Sequence, residues 1–242
     1  MLRPSIVPAW LALLALAVLG SSAAAKRSAP TDHFLHPRFA EFHVRSVALL
    51  PVAVLHPADG AAETVGRQLE RNLASVGYRW VSTSSLPTSL GTAEGSAEVD
   101  KLVERLRRTG SLDTTGVRTF GQAGVADALL ATLVTTWERE TIDFNMTGQS
   151  MTQIALQAFL YSTKTGELLW SQRFQVKGDG PYNNPGDGSG IVGVTSTGLQ
   201  TAAPRTSTSL DPPTYEEVAA KLAVQLRAAL PAPPPAPAQA AP

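Results

Sequence analysis

The sequence predicts an α/β fold: one domain on a mixed β-sheet, with helices packed against it and an antiparallel hairpin towards its C-terminal side. Three observations lead there. A strand, an amphipathic helix and a second strand follow one another over residues 44–82, the order of a βαβ unit with parallel strands. Apolar residues then recur at every second position on both sides of Lys164-Thr165-Gly166, the period of an antiparallel pair with one wet side. Two further segments, around Val99 and after Thr214, carry apolar residues at steps of three and four, the period of a helix facing a core.

The first strand, residues 44–55, is apolar on both faces and therefore buried on both. Pro51 cannot donate to a ladder, so the strand is expected to end or bulge there. The helix that follows places Ala62, Val65, Leu69, Leu73 and Val76 on one stripe, with Gly77 where a left-handed cap would stop it. Residues 78–82 read as the second strand. The next helix carries Val99, Leu102, Val103 and Leu106 and closes at Gly110; residues 114–124 form a shorter helix. A long strand over residues 126–140 starts apolar on both faces and ends polar.

In the hairpin, Ile154, Leu156, Ala158 and Leu160 share one face, against Gln153, Gln157 and Tyr161. On the returning arm Leu168, Trp170, Phe174 and Val176 share a face, against Ser171, Arg173 and Gln175. Trp170 is assigned to the core, because burying such a ring is worth about 2 to 3 kcal/mol. The last helix has the fullest signals: Asp211-Pro-Pro before it, Thr214 and Glu217 as a capping box, a stripe of Val218, Leu222, Leu226 and Ala229, and Pro231 after it.

The ends of the chain read differently. Arg3, an apolar run over residues 10–20 and the small-residue exit SSAAAK have the layout of a secretory signal peptide cleaved near Ala25 and Lys26. The run is too short to span a bilayer; the alternative is an uncleaved anchor, and the mass of the exported protein decides between them. Residues 26–43 read as an irregular arm, and residues 231–242 as a Pro/Ala-rich disordered tail. Removing Arg3 from a chain with 20 basic and 20 acidic residues leaves one net negative charge. Such a chain has no long-range field to gather polyanions, so no nucleic-acid partner is expected. The chain has no cysteine, which excludes disulfides, thiol catalysis and thiolate metal sites.

The motifs SVALLPV, GVADALLATLV, FLYSTKTGELLWSQRF and EEVAAKLAVQLRAALP stand in this order over residues 44–231. In these motifs the sequence resembles a group of bacterial envelope proteins that includes the amino-terminal domain of TolB, CsgG and LpoB-type lipoproteins. The shared pattern is a Leu-Pro ending on the first strand, a Gly-x-x-Asp opening to the middle strand and a Thr-Gly-Glu-x-x-Trp hairpin. The resemblance implies an anticodon-binding-like fold and an exported, non-enzymatic protein that binds others as an accessory or regulator of an outer-membrane or cell-wall assembly. Many of these relatives are lipoproteins. Here no cysteine follows the signal segment, so lipidation there is chemically excluded, leaving a periplasmic or secreted location, or membrane association through a partner. No pair of long amphipathic strands suggests a CsgG-type pore.

Candidate chemistry is sparse, and no catalytic residue or cofactor is assigned. His33, His36 and His43 lie close together, but Pro37 breaks any helix that would align His33 with His36, and their spacing matches no zinc motif. No Gly-x-Ser-x-Gly or His-Glu-x-x-His run occurs, and Asp143, Glu138 and Glu140 are expected to face water. Residues 178–213 have no clear period and read as one long loop, either an interface or disordered. In it Tyr182, Ile191 and Val192 are the partner-contact candidates. Asp179 and Asp187, with Asn183 and Asn184, offer oxygens for calcium without EF-hand spacing. The alternatives to a protein-binding module are a periplasmic hydrolase and a small-ligand or calcium-binding module built on that loop.

Overall fold

Strands that are apolar on both faces need cover on both faces, and the structure supplies it as two helical layers around one sheet. A computed structural model describes residues 33–91, 95–143, 145–183 and 210–234. The strands are β1 (His33–Leu35), β2 (Ser46–Leu49), β3 (Ala53–Val54), β4 (Arg79–Val81), β5 (Ala128–Glu140), β6 (Gly148–Ser162) and β7 (Leu168–Asn183). The helices are α1 (Ala61–Leu73), α2 (Leu86–Ser89), α3 (Gly95–Thr109), α4 (Thr114–Gln122) and α5 (Tyr215–Ala229).

Among the described residues the sheet has seven strands in the order β1-β7-β6-β5-β2-β4, with β3 pairing β5 beyond the end of β2. β2 is parallel to both β4 and β5, and β6 is antiparallel to its two neighbours, β5 and β7. The sheet is thus mixed, as expected. Alternate residues of β2 separate two cores. Val47 and Leu49 join the core under α1 and α5, while Ala48 and Leu50 join the one under α2, α3 and α4. The ladder breaks at Leu50–Val52 around Pro51 and resumes as β3. The capping box at Thr214 and Glu217 is formed in full.

Several sequence expectations are corrected. The hairpin is not wet along one whole side: Phe159 and Tyr161, at its turn end, lie in the second core beneath the helices. Leu168 does not share a face with Trp170. Leu160 pairs with Trp170 and Tyr161 with Leu168, so Leu169 is an extra residue in β7, and this bulge turns Leu168 to the second core. In α1 the buried alanine is Ala61 instead of Ala62, and the helix ends at Leu73 with Ala74 still right-handed. Gly77 therefore caps nothing. A β-carbon there would stand 3.2 Å from Pro233 Cγ, so its smallness admits the C-terminal segment. That segment is ordered at its start, where the Tyr78 hydroxyl donates to Pro231 O at 2.7 Å. Residues 33–43 of the supposed irregular arm form β1, which pairs with β7, and a 3-10 turn over Phe39–Phe42.

The Thr-Gly-Glu turn is wedged against α4. Gly166 has φ +77°, and a β-carbon on it would collide with the Thr114 main chain. Gly121 lies in the same way against the Thr163 carbonyl. Thr163 closes the wedge from the other side: its N–H donates to Asp127 O at 3.0 Å and its hydroxyl to Ala126 O at 2.5 Å. The hairpin motif is scaffold.

Candidate functional site

The Gly-x-x-Asp motif resolves into a joint. Asp127 Oδ2 accepts from Arg45 N–H at 3.2 Å, Ser46 N–H at 3.0 Å and the Ser46 hydroxyl at 2.8 Å. Its own N–H donates to Ser46 Oγ at 3.0 Å. One carboxylate thus holds the starts of β2 and β5 in register. Partial burial alone would raise its pKa, but the Ser46 hydroxyl, the Arg45 and Ser46 N–H groups and the nearby Lys164 ammonium outweigh this and hold it below the usual carboxylate value. The remaining oxygen, Oδ1, faces the Lys164 ammonium at 3.7 Å.

The histidines are separated in role. His33 lies on the exposed edge strand β1. His36 accepts from Arg38 N–H at 3.2 Å and meets the Phe42 ring edge-on at 5.1 Å. His43, with φ +48°, donates from Nδ1 to Glu41 O at 2.6 Å. Among the described residues no three His, Asp or Glu side chains gather as a metal site. Glu138, Glu140 and Asp143 are exposed.

The far end of the sheet exposes two large apolar side chains, Met146 and Tyr182. Past the helical layers β5, β6 and β7 continue as a three-stranded ribbon. One face is covered by the Asp211–Thr214 segment: Thr152 donates to Pro213 O at 2.6 Å and Arg139 to Pro212 O at 3.4 Å. Gly178 and Gly180 make this possible, since β-carbons there would stand 3.0 Å from Pro213 Cγ and 3.1 Å from Asp211 O. Close by, Tyr215 stacks flat on Trp137 at 4.1 Å. The other face is wet. Ladder partners align Glu140, Met151 and Asp179 in one row and Glu138, Gln153 and Lys177 in the next.

The expected loop therefore starts later than residue 178. Asp179 and Tyr182 belong to β7, where glycines alternate with polar residues and hide the strand period. Asp179 is paired to Lys177 at 2.8 Å, which gives it a partner other than calcium. Tyr182 is 65% exposed, opposite Gln149, and Met146 nearby is 55% exposed. Asn183 ties the two connections together by donating to Met146 O at 2.8 Å. Asp187, Ile191 and Val192 lie outside the described residues.

A shallow groove of about 510 Å³ runs between the edge of β7, at Gln172–Gln175, and Gln225, Ala228 and Ala229 of α5. At Gln172 it adjoins β1, whose His33 lies opposite. Sequence reasoning missed this groove, since nothing in the sequence of β7 says how α5 packs beside it.

No family model and no curated protein matches the chain. Among solved structures it is similar to a lipoprotein from Neisseria meningitidis, with 16% identity over 58% of this chain and 88% of that one and a TM-score of 0.40. It is similar to the LpoB C-terminal domain from Salmonella enterica, with 20% identity over 55% and 83% and a TM-score of 0.31. For the Escherichia coli LpoB C-terminal domain the values are 17%, 58%, 93% and 0.32.

Proposed function

We propose that this chain is an exported, non-enzymatic envelope protein that binds other proteins as an accessory or regulator of an outer-membrane or cell-wall assembly. The export reading rests on the signal-type segment before residue 26, and the class of partner on the motif resemblance. The observation that carries the binding role is the far end of the sheet, where Tyr182 and Met146 stand exposed on a ribbon braced by Pro212, Pro213 and the Trp137–Tyr215 stack. Exposed Tyr and Met are side chains enriched where proteins meet.

The test is site-specific photo-crosslinking in the producing cell. A photoreactive residue at position 182 or 146 is expected to give discrete adducts with envelope proteins, while one at Arg105, on the outer face of α3, gives none. Equal labelling at all three positions would remove the proposal.

A further inference from the structure

The connection between β5 and β6, residues 141–147, carries a motif that the fold does not account for. Asn145, Met146 and Thr147 form an Asn-x-Thr sequence without proline in the middle, and Asp143 stands two residues before it. This is the acceptor pattern for N-linked glycosylation, and it has meaning only on a surface loop of an exported chain. We infer that Asn145 is a glycosylation site, its side-chain amide taking an oligosaccharide from a lipid diphosphate carrier. This goes beyond the proposed function. It shares the export reading with that function and does not need the binding surface.

The structure meets the conditions that the chemistry sets. An acceptor amide must reach from the protein surface into a transferase pocket, so it cannot be tied into a helix or held by a neighbour. Met146 N–H donates to Asp143 O at 2.9 Å, which makes a turn with Asn145 on it. Asn145 and Thr147 are exposed, and neither side chain is hydrogen-bonded among the described residues. The loop is held through other groups: Ile142 N–H donates to Ser150 Oγ at 3.0 Å and Asn183 Nδ2 to Met146 O at 2.8 Å. The other asparagines differ. Asn72 lies in α1 and donates to Gln68 O at 2.8 Å, and Asn183 is the tie just described. Neither of them, nor Asn184, has Ser or Thr two residues on.

The flanking side chains have parts to play. The Thr147 hydroxyl offers a transferase a donor and an acceptor two residues beyond the amide. Asp143 is exposed, forms no ion pair among the described residues and offers a basic group a charge-assisted contact. In the transfer, Asn145 Nδ2 forms a bond to the anomeric carbon while the bond from that carbon to the diphosphate oxygen breaks. The lipid diphosphate leaves with the bonding pair, and a base of the transferase takes one amide proton.

Mass spectrometry of the full chain purified from its producing cell tests this. Cleavage after Arg139 and Lys164 releases residues 140–164, in which Asn145 is the single asparagine. This peptide is expected to be heavier by whole sugar residues, with fragmentation locating them on Asn145. Asn145→Gln and Thr147→Ala are each expected to lose the addition completely, Thr147→Ser to keep it, and Asp143→Asn to lower the modified fraction several-fold. All three positions are exposed on a connection, so the variants fold, and circular dichroism checks this. A peptide with only its amino-acid mass, or an addition that survives Asn145→Gln or Thr147→Ala, would overturn the inference; an unchanged fraction in Asp143→Asn would overturn the part given to Asp143. Fractionation of the same cells separates the causes. Unmodified protein outside the cytoplasm overturns this inference alone, whereas protein confined to the cytoplasm overturns the export reading with it.

Discussion

Replacing Asp127 by asparagine tests whether one carboxylate sets the register of the two central parallel strands. The side chain receives three hydrogen bonds from Arg45 and Ser46, 82 and 81 residues away in sequence. Arg45 is exposed and its N–H can turn to water, whereas Ser46 is buried and its N–H cannot. Asparagine keeps an accepting oxygen but loses the charge that strengthens these bonds, so the expected loss is about 1 kcal/mol. Alanine leaves the buried N–H unpaired and is expected to cost about 1–3 kcal/mol. Urea denaturation at constant slope measures both. The pH dependence adds a second condition. The carboxyl is held below its usual value in the folded protein, so its contribution is present above about pH 4, the ordinary unfolded value, and is lost as pH falls through the lower folded value. The gap between wild type and Asp127→Asn should therefore close in acid. A gap of the same size at pH 7 and well below pH 4 would refute the ionic part of the reasoning, and an alanine variant as stable as wild type would refute all of it.

Gly166→Ala is expected to destabilise by more than the roughly 1 kcal/mol of a left-handed alanine, because its β-carbon meets the Thr114 main chain; thermal melting reads this. Trp170 is 1% exposed and its indole N–H has no partner among the described residues. Trp170→Ala should therefore cost about 3–5 kcal/mol and Trp170→Phe far less, and equal losses in denaturant would show that the N–H is bonded after all. Burial raises the Tyr78 pKa to about 12. Stability linked to this group is full below about pH 10 and falls as pH rises through 12; burial also raises Tyr161 and Tyr215, so ultraviolet titration should show several late tyrosinates, with the amplitude near pH 12 reduced by one tyrosinate in Tyr78→Phe.

The elements that could be read directly are those whose signals are local. The α5 capping box, the Pro51 break and the alternation along β6 each depend on residues within one turn or one strand. What escaped depends on contacts distant in sequence. Gly77 looked like a cap because nothing nearby reveals Pro233, and Leu168 looked like a partner of Trp170 because a bulge at Leu169 has no local signature. The far end of β7 reads as loop in the sequence for a related reason. Gly178 and Gly180 disfavour a strand by propensity, yet they are there because residues 211–213 lie across them. Of the named site residues, Tyr182 could be singled out from sequence as an aromatic in a polar stretch. The groove between Gln172–Gln175 and α5, and the separate roles of His33, His36 and His43, follow only from which elements become neighbours.

The anchoring of Pro231 by Tyr78 has a practical consequence. It fixes where α5 delivers the chain: beside the starts of β2 and β4, at the end of the sheet remote from Tyr182. Immobilising the protein on a sensor through its C-terminus would leave the ribbon directed into solution. Attachment through a residue in the 141–147 connection would turn it towards the support, so the choice of linkage site decides which surface an incoming molecule meets.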